Sequence, residues 1–322
     1  MKRGRLLGIF YRMMQGESVN LKSLASEYGV SVKSISRDMN EIRNFLADHR
    51  DIVKNIELKY ARDLKTYRID NGNSLLPKEF LLIMKILTGV RAIDKIELLD
   101  LFEKIKNFTG KEDRNSLEYL TAKEMYHYQG VHHFCTDLTE LIWKITHCIV
   151  GQNEITIIYN KMDGSQIERR IRPLSIMFSE YYFYLIAASC ETGSSPHYYR
   201  IDRILKMVKH RDTFPLDYSD RFDEGELRKK IQYMIPGESK RITFEFTGPS
   251  VQAVLDRLQT ARIISKEGKK YLVEAEIYGE GVSMFLLSQG HWVKILKPKH
   301  YAEEMAREIE LMYHNYKPHS DA

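Results

Sequence analysis

Two groups of residues carry side chains able to do chemistry, and the first lies near the start of the chain. It combines hydroxyl, amide and cationic side chains: Ser31, Lys33, Ser34, Ser36, Arg37, Asn40, Arg62 and Lys65. Arginine can hold guanine through two hydrogen bonds and asparagine can hold adenine in the same way, while lysine and serine can reach phosphate oxygens. We therefore predict that this group contacts DNA.

The second group is built from arginines and a tyrosine. Arg200 and Arg203 lie three residues apart around Asp202, and Arg172 and Tyr184 lie on earlier segments that alternate like β-strands. In a small barrel, neighbouring strands would bring the three arginines together beside the tyrosine. Converging guanidiniums and a phenol suit a phosphate-bearing or nucleic-acid ligand. We expect the acid to pair with a neighbouring arginine.

No catalytic or metal-binding spacing accompanies these groups. The segments Gly225-Glu226 and Gly279-Glu280-Gly281 lack the lysine and the serine or threonine of a phosphate loop. His132-His133 and Cys135 lie too close together, without distant partners, for a zinc site. The chain has three cysteines, an odd number that argues against a disulfide framework. We therefore expect no enzymatic activity, no cofactor and no metal.

The positive charge of the chain is concentrated at its start. Residues 1–70 hold 14 lysines and arginines against 9 aspartates and glutamates, and their balance of +5 equals the net charge of all 322 residues. A local basic surface is what an anionic partner such as DNA requires. The apolar runs are too short to span a bilayer, and the N-terminus lacks the cleavage site of a signal peptide. We expect a cytoplasmic protein without membrane contact.

The elements that must position the first group predict a winged helix-turn-helix. Helical periodicity covers residues 4–15, Asn20 and Ser31 are good N-caps for two further helices, and alternation over residues 56–69 predicts a β-hairpin. A polar linker follows at residues 70–74.

In the third predicted helix, one apolar stripe sets which side chains point outward. The stripe consists of Ile35, Met39, Ile42 and Leu46, at spacings that put them on one face. Lys33, Arg37 and Asn40 then lie on the opposite face, where a recognition helix contacts DNA. Two other interpretations stay open: a solvated helix face, and a winged helix that docks protein.

Residues 2–69 resemble the N-terminal DNA-binding domain common in bacterial regulators. The stretch LKSLASEYGVSVKSISRDMNEIR carries the family's leucine-rich second helix and its "GVS" turn, and Arg37-Asp38-Met39 takes the place of the usual Arg-Asp-Leu.

A second resemblance covers roughly residues 137–212 and is to the WYL domain family. The family's motifs occur in order: Tyr159, Asp163-Gly164, Arg172-Pro173-Leu174, Phe183-Tyr184-Leu185 and Tyr199-Arg200-Ile201-Asp202-Arg203-Ile204. The resemblance implies an Sm-like barrel with a ligand surface formed by Tyr159, Arg172, Tyr184, His197, Arg200 and Arg203. Two departures are Phe183, which replaces the family's tryptophan, and His197, which stands where arginine is common.

The expected fold class is α+β multidomain. Its parts are a winged helix-turn-helix (1–70), a helical connector (71–136), a WYL Sm-like small β-barrel (137–214), a linker helix (215–235) and a ferredoxin-like α+β domain (236–322). The last part alternates strands and helices, and its segment Leu286–Pro298 resembles the WCX-like extension that often follows a WYL domain. That resemblance implies dimerisation.

These observations lead to one function hypothesis and two alternatives. The hypothesis is a sequence-specific transcriptional regulator: a homodimer that binds a double-stranded DNA operator and senses a nucleic-acid or nucleotide-like effector. The first alternative is an accessory nucleic-acid-binding protein of a DNA-repair or phage-defence system. The second is a small-molecule enzyme that carries a vestigial winged helix.

Overall fold

The computed structural model describes residues 2–14, 16–53, 56–70, 77–106, 111–190, 196–215 and 222–316. Most of the polar linker predicted at residues 70–74 lies outside this part of the chain. The chain divides into two compact units, Met1–His132 and His133–Ala322. Helices and antiparallel sheets occur in both units, so the protein is a multidomain α+β protein, as the sequence predicts.

The first unit begins with four helices. Their bounds are α1 Lys2–Met14, α2 Leu21–Glu27, α3 Val32–Asp48 and the short α4 Arg50–Val53. Two predicted caps start the second and third helices: Asn20 Oδ1 accepts from the backbone N–H of Lys22 at 2.8 Å, and Ser31 Oγ accepts from that of Ser34 at 3.2 Å. Each bond satisfies an N–H group that has no partner within its helix.

The core of this helical group forms around the apolar stripe of α3. Ile35, Met39, Ile42 and Leu46 are all buried, as their spacing predicts, and they pack with residues of α1 and α2. Asp38 is fully buried on the same helix, and Arg5 of α1 donates to it through Nε at 2.6 Å and Nη2 at 3.2 Å. A two-point ion pair thus fixes α1 against α3.

A β-hairpin follows the helices. It consists of β1 Glu57–Ala61 and β2 Thr66–Asp70, which pair antiparallel. Val19, just before α2, exchanges both backbone hydrogen bonds with Tyr67 at 2.8 Å, so the hairpin is joined to the segment that starts α2.

Three helices complete the described part of the first unit. They are α5 Pro77–Val90, α6 Lys95–Lys106 and α7 Lys111–His127. Phe80, Met84, Leu98 and Phe102 are buried among them, and the two phenylalanine rings meet edge to face at 6.3 Å. These helices therefore have a hydrophobic core of their own.

The second unit opens with a helix and a five-stranded antiparallel sheet. The elements are α8 Leu138–Val150, β3 Asn153–Asn160, β4 Gln166–Ser179, β5 Tyr182–Ser189, β6 His197–Arg200 and β7 Ile204–Thr213, in the sheet order β6-β5-β4-β3-β7. Strand β4 continues past the Arg172-Pro173-Leu174 motif to Ser179. Its register shifts between Pro173 and Ser175, because proline has no N–H to donate and breaks the ladder without ending the strand.

The sheet must be strongly curved. Strands β6 and β7 occupy opposite edges of the order, which in a flat sheet would put them roughly 19 Å apart. Only the 3₁₀ turn Ile201–Arg203 connects them, and that length of chain spans at most about 14 Å. Ile201 and Ile204, at the two ends of the turn, are buried against α8 and the sheet interior.

The last part of the chain forms a second sheet with helices. Its elements are α9 Glu224–Lys230, β8 Ser239–Phe246, α10 Val251–Arg257, β9 Arg262–Glu267, β10 Lys270–Tyr278, α11 Gly281–Ser288, β11 Val293–Lys297 and α12 Lys299–Tyr316, with the antiparallel order β11-β8-β10-β9. The buried core includes Phe244, Val273, Val282 and Tyr301. The sequence of strands and helices is the one expected for residues 236–322.

Glycine is required where α11 begins. A Cβ atom at Gly281 would lie 1.8 Å from the carbonyl oxygen of Gln232, so Gly281→Ala forces the backbone apart. Because the clash is with backbone, we expect this variant to lower the free energy of unfolding of the second unit by about 3 kcal/mol, the upper end of the usual range for overpacking. Urea denaturation followed by tryptophan fluorescence measures it, because Trp143 and Trp292, the two tryptophans of the chain, both belong to this unit.

The matched control is Gly268→Ala. Gly268 has a positive φ of 59° but nothing within 4 Å of an added Cβ, so this variant meets backbone strain alone, about 1–2 kcal/mol. A smaller loss for Gly281→Ala than for the control would contradict the steric explanation.

Candidate functional site

The outer face of α3 displays the predicted base-contacting residues. Lys33, Arg37 and Asn40 are exposed, while the apolar stripe and Asp38 are buried on the inner face. Asn40 Oδ1 accepts from Arg43 Nη1 at 2.9 Å, which orients the amide from within the helix. The helix therefore presents two cations and an amide from a face that the core holds in place.

The three predicted serines lie at the start of α3, and their surroundings differ from those of the cations. Ser31 Oγ caps the helix and lies 3.0 Å from Ser34 Oγ. Ser34 and Ser36 are half-buried. Ser31 thus has a structural role in the protein itself, and contact of the three serines with DNA stays a prediction.

The hairpin turn displays Arg62 and Lys65, which are both exposed. Lys65 has a positive φ of 52°, and its carbonyl oxygen accepts from Asn20 Nδ2 at 2.9 Å. Asn20 therefore caps α2 with its oxygen and holds the turn with its nitrogen. The sequence indicated only the first of these roles, because a cap is local whereas the second contact joins residues 45 positions apart.

In the second unit, Arg200 and Asp202 form the centre of the predicted ligand group. Arg200 donates from Nε to Asp202 Oδ1 at 3.1 Å and from Nη2 to Oδ2 at 2.7 Å. The Asp202 side chain is 2% exposed, and His133 Nδ1 lies 3.6 Å from its Oδ2. The expected pairing of Asp202 with a neighbouring arginine is thus present as a buried two-point ion pair.

Aromatic rings surround this ion pair. The Arg200 guanidinium lies 3.4 Å from the ring centroid of Tyr182, and its backbone N–H donates to Tyr159 Oη at 3.3 Å. Tyr184 is the cross-strand partner of Arg200. Burial raises the pKa of both Tyr159 and Tyr184, so each phenol stays protonated and can donate a hydrogen bond.

Tyr182 was not among the residues predicted to contact the ligand, although the alternation of side chains along β5 indicates it. It stands two residues before Tyr184 on β5, and side chains two apart on a strand share a face. The alternation that selected Tyr184 therefore also selects Tyr182.

The charge state of Asp202 follows from its contacts. Burial would raise the pKa of its carboxyl group, but the contacts with His133 and Arg200 outweigh burial and lower the pKa to about 2. Asp202 is therefore ionised at neutral pH, and it balances the charge of Arg200.

Arg203 lies one residue beyond this ion pair and in a different environment. Its Nε is buried and has no hydrogen-bond partner among the residues that the structure describes, and its guanidinium carbon lies 5.7 Å from the ring centroid of Phe134. Phe134, which the sequence did not single out, is 50% exposed. It precedes α8, outside the motifs that drew attention to this region.

Arg172 and His197 lie apart from the Arg200–Asp202 pair. Arg172 Nε donates to Glu154 Oε1 at 3.1 Å, and Arg170 Nε donates to Glu154 Oε2 at 2.8 Å. Burial would raise the pKa of Glu154, but the two arginines lower it. His197 is exposed on β6, and the centroid of its ring lies 6.2 Å from that of the Tyr199 ring. Within residues 133–190, 196–215 and 222–316, no hydrogen bond or ion pair links either residue to Arg200 or Arg203.

In the part of the chain that the structure describes, no cluster of three or more histidine, cysteine, aspartate or glutamate side chains could hold a metal ion. No helix among the same residues combines the length and apolar character needed to cross a membrane.

Comparison with known families identifies the first part of the second unit. Residues 140–208 match the model of the WYL domain, which confirms the resemblance carried by the separated motifs. Over nearly its whole length the chain is similar to a bacterial protein named "Uncharacterized HTH-type transcriptional regulator YobV", from Bacillus subtilis (strain 168). The two are 22% identical over an alignment of 328 residue positions, gaps included, which covers 98% of this chain and 99% of that protein.

Two solved structures are also similar. The proteasome accessory factor B/C (PafBC) of Arthrobacter aurescens is 15% identical with a TM-score of 0.29, and the match covers 98% of this chain but 49% of that one. A CRISPR Cas-related protein is 19% identical with a TM-score of 0.39, and the match covers 67% of this chain and 64% of that one. This chain thus spans about half the length of the first protein and just under two thirds of the second.

The low pKa of Asp202 predicts a pH-dependent stability. The pKa lies below its ordinary value of 3.8, so Asp202 stabilises the second unit above about pH 4 and loses this effect as the pH falls towards 2. The loss amounts to about 2 kcal/mol. Urea unfolding from pH 6 to pH 2.5, followed by tryptophan fluorescence, measures the free energy of unfolding of the wild type and of Asp202→Asn. Over this range, most of the loss should occur in the wild type and be absent from the variant. Parallel curves for the two proteins would contradict the assignment.

Proposed function

We propose that the protein is a transcriptional regulator that binds double-stranded DNA through a winged helix-turn-helix formed by residues 1–70. The single observation that carries this proposal is the two-sided construction of α3. Its inner face is fixed by the apolar stripe and the Arg5–Asp38 ion pair, and its outer face exposes Lys33, Arg37 and Asn40. A rigid helix with such an outer face suits the major groove.

The hairpin supports the same proposal. Arg62 and Lys65 are exposed at its turn, and contacts from Asn20 and Val19 hold the hairpin beside the start of α2. Cations at a turn held in this way suit phosphates that flank a bound groove. The concentration of the net charge in residues 1–70 and the similarity to a protein named as an HTH-type regulator agree with this role.

The second half of the proposal is that residues 137–214 form an Sm-like barrel that senses a nucleic-acid or nucleotide-like effector. The strand order and the short turn between the two edge strands support a barrel. Neutral phenols at Tyr159 and Tyr184 together with the cation of Arg203 support a phosphate-bearing ligand. The helices of residues 71–136 connect this domain to the DNA-binding domain, and the protein acts in the cytoplasm, beside the chromosome.

Arg37 provides the test of DNA binding. A guanidinium that reads a base through two hydrogen bonds contributes about 1–3 kcal/mol, so we expect Arg37→Ala to weaken operator binding by roughly 5- to 150-fold. Genome-wide mapping of binding sites should show a few sharp sites for the wild type and their loss in the variant. Electrophoretic mobility shifts on those sites then give the affinity ratio.

The matched control is Lys104→Ala. Lys104 is an exposed cation of the same unit that pairs with Asp100 on α6, so its loss changes the net charge equally without touching the proposed face. Diffuse occupancy in the wild type, unchanged in Arg37→Ala, would contradict a promoter-directed regulator. It would favour an accessory nucleic-acid-binding protein instead.

We also propose that the protein is a homodimer joined through residues 236–322. The second half of α12 supports this, because Ile309, Met312 and Tyr316 are exposed at spacings that form one apolar stripe. A helix with an exposed stripe is stabilised when a second helix covers it. Two protomers would place their recognition helices on half-sites about one helical turn apart.

The double variant Ile309→Glu/Met312→Glu tests the dimer. Charges in the stripe should raise the dissociation constant of the dimer at least tenfold, which sedimentation velocity measures over a dilution series. Glu308→Gln/Glu310→Gln, on the same helix, is the control. A wild type that sediments as a monomer at every concentration, or a charged variant that remains as dimeric as the wild type, would rule out this interface.

A further inference from the structure

We infer that Phe134 and Arg203 together form the surface that contacts the effector: Arg203 binds a phosphate and Phe134 stacks on the neighbouring base. This inference rests on the proposed effector class and assigns two residues to it, one of which lies outside the matched WYL region. It identifies the ligand as one nucleotide unit, or a strand that contains it.

The first step is that the protein itself already occupies Arg200. Two of its nitrogens donate to Asp202, its guanidinium carbon lies 3.4 Å from the ring centroid of Tyr182, and its side chain is 16% exposed. Its positive charge is balanced by a buried carboxylate. A phosphate at Arg200 would have to compete with that carboxylate, which also has His133 Nδ1 3.6 Å from its Oδ2.

The second step is the environment of Arg203. Its Nε is buried without a hydrogen-bond partner, and the structure pairs it with no carboxylate among residues 133–190, 196–215 and 222–316. A buried donor without a partner is costly, and most such groups in proteins are satisfied. An anionic oxygen supplied by a ligand satisfies both the hydrogen bond and the charge.

The third step is the position of Phe134. Its ring lies 5.7 Å from the Arg203 guanidinium, and half of its surface is exposed. Every nucleotide joins a flat aromatic base to a phosphate, and proteins that bind single strands pair aromatic platforms with cations. The adjacent ring and guanidinium therefore match one base and its phosphate, whereas inorganic phosphate would leave the ring unused.

The test uses two fluorescein-labelled probes and the full-length protein. One probe is a single strand of eight thymidines, and the other has the same length and charge but carries abasic sites. Fluorescence anisotropy should show that Phe134→Leu binds the thymidine strand roughly tenfold more weakly than the wild type does, because base stacking is lost. Binding of the abasic strand should change less than twofold.

Arg203→Gln should weaken both probes. It should also reduce the slope of log affinity against log salt by about 0.7, the value for one lost phosphate contact with a single strand. The control is Arg169→Gln, which removes an exposed cation of β4 whose side chain donates to the backbone carbonyl oxygen of Glu168. Its salt slope should match that of the wild type, and thermal melting of each variant establishes that it is folded.

Three outcomes would overturn the inference. Equal weakening of both probes by Phe134→Leu would mean that the ring does not stack on a base. An unchanged salt slope in Arg203→Gln would mean that this residue does not meet a phosphate. A wild type that binds operator DNA but neither single strand would refute the assigned ligand and leave the DNA-binding proposal intact, so failures of the two proposals are distinguishable.

Discussion

The ion pair between Arg200 and Asp202 lies where the chain passes from one edge strand of the five-stranded sheet to the other. The chain leaves β6 at Arg200 and enters β7 at Ile204, and a single 3₁₀ turn covers the interval. Asp202 is buried within that turn, where an unpaired carboxylate would be strongly destabilising. The pair therefore stabilises the turn between the two edge strands, and the same turn carries Ile201 into the core and bears Arg203.

Local periodicity was enough to predict the elements of the proposed DNA-binding domain. The stripe of α3, the caps at Asn20 and Ser31 and the alternation of the hairpin each depend on residues close in sequence, and the order of strands and helices in residues 236–322 follows from the same kind of pattern. The long extension of β4 past Pro173 was not predictable in this way. It depends on β5 continuing to pair beyond the interruption, which is a property of the partner strand.

The candidate ligand site was predictable only in part, for a physical reason. Motif spacing indicates which residues share a strand face, and it selected Tyr184, Arg200 and Arg203. It does not indicate which acid each arginine meets. Arg172 pairs with Glu154, 18 residues earlier in the chain, and Phe134 reaches Arg203 from the segment before α8. Contacts of this kind arise from the register of the curved sheet and the docking of α8 on it, which no local pattern encodes.

The Arg5–Asp38 ion pair has a consequence for how such a protein could be controlled. It joins the first helix to the centre of α3, so the outer face of α3 is supported by a charged contact as well as by the apolar core. Under the proposed function, discrimination between bases at one half-site depends on this supported helix alone. Control by an effector would then act on a larger scale, on whether two such domains occupy both halves of an operator at once. An effector acting in this way would change cooperativity and leave the recognised sequence unchanged.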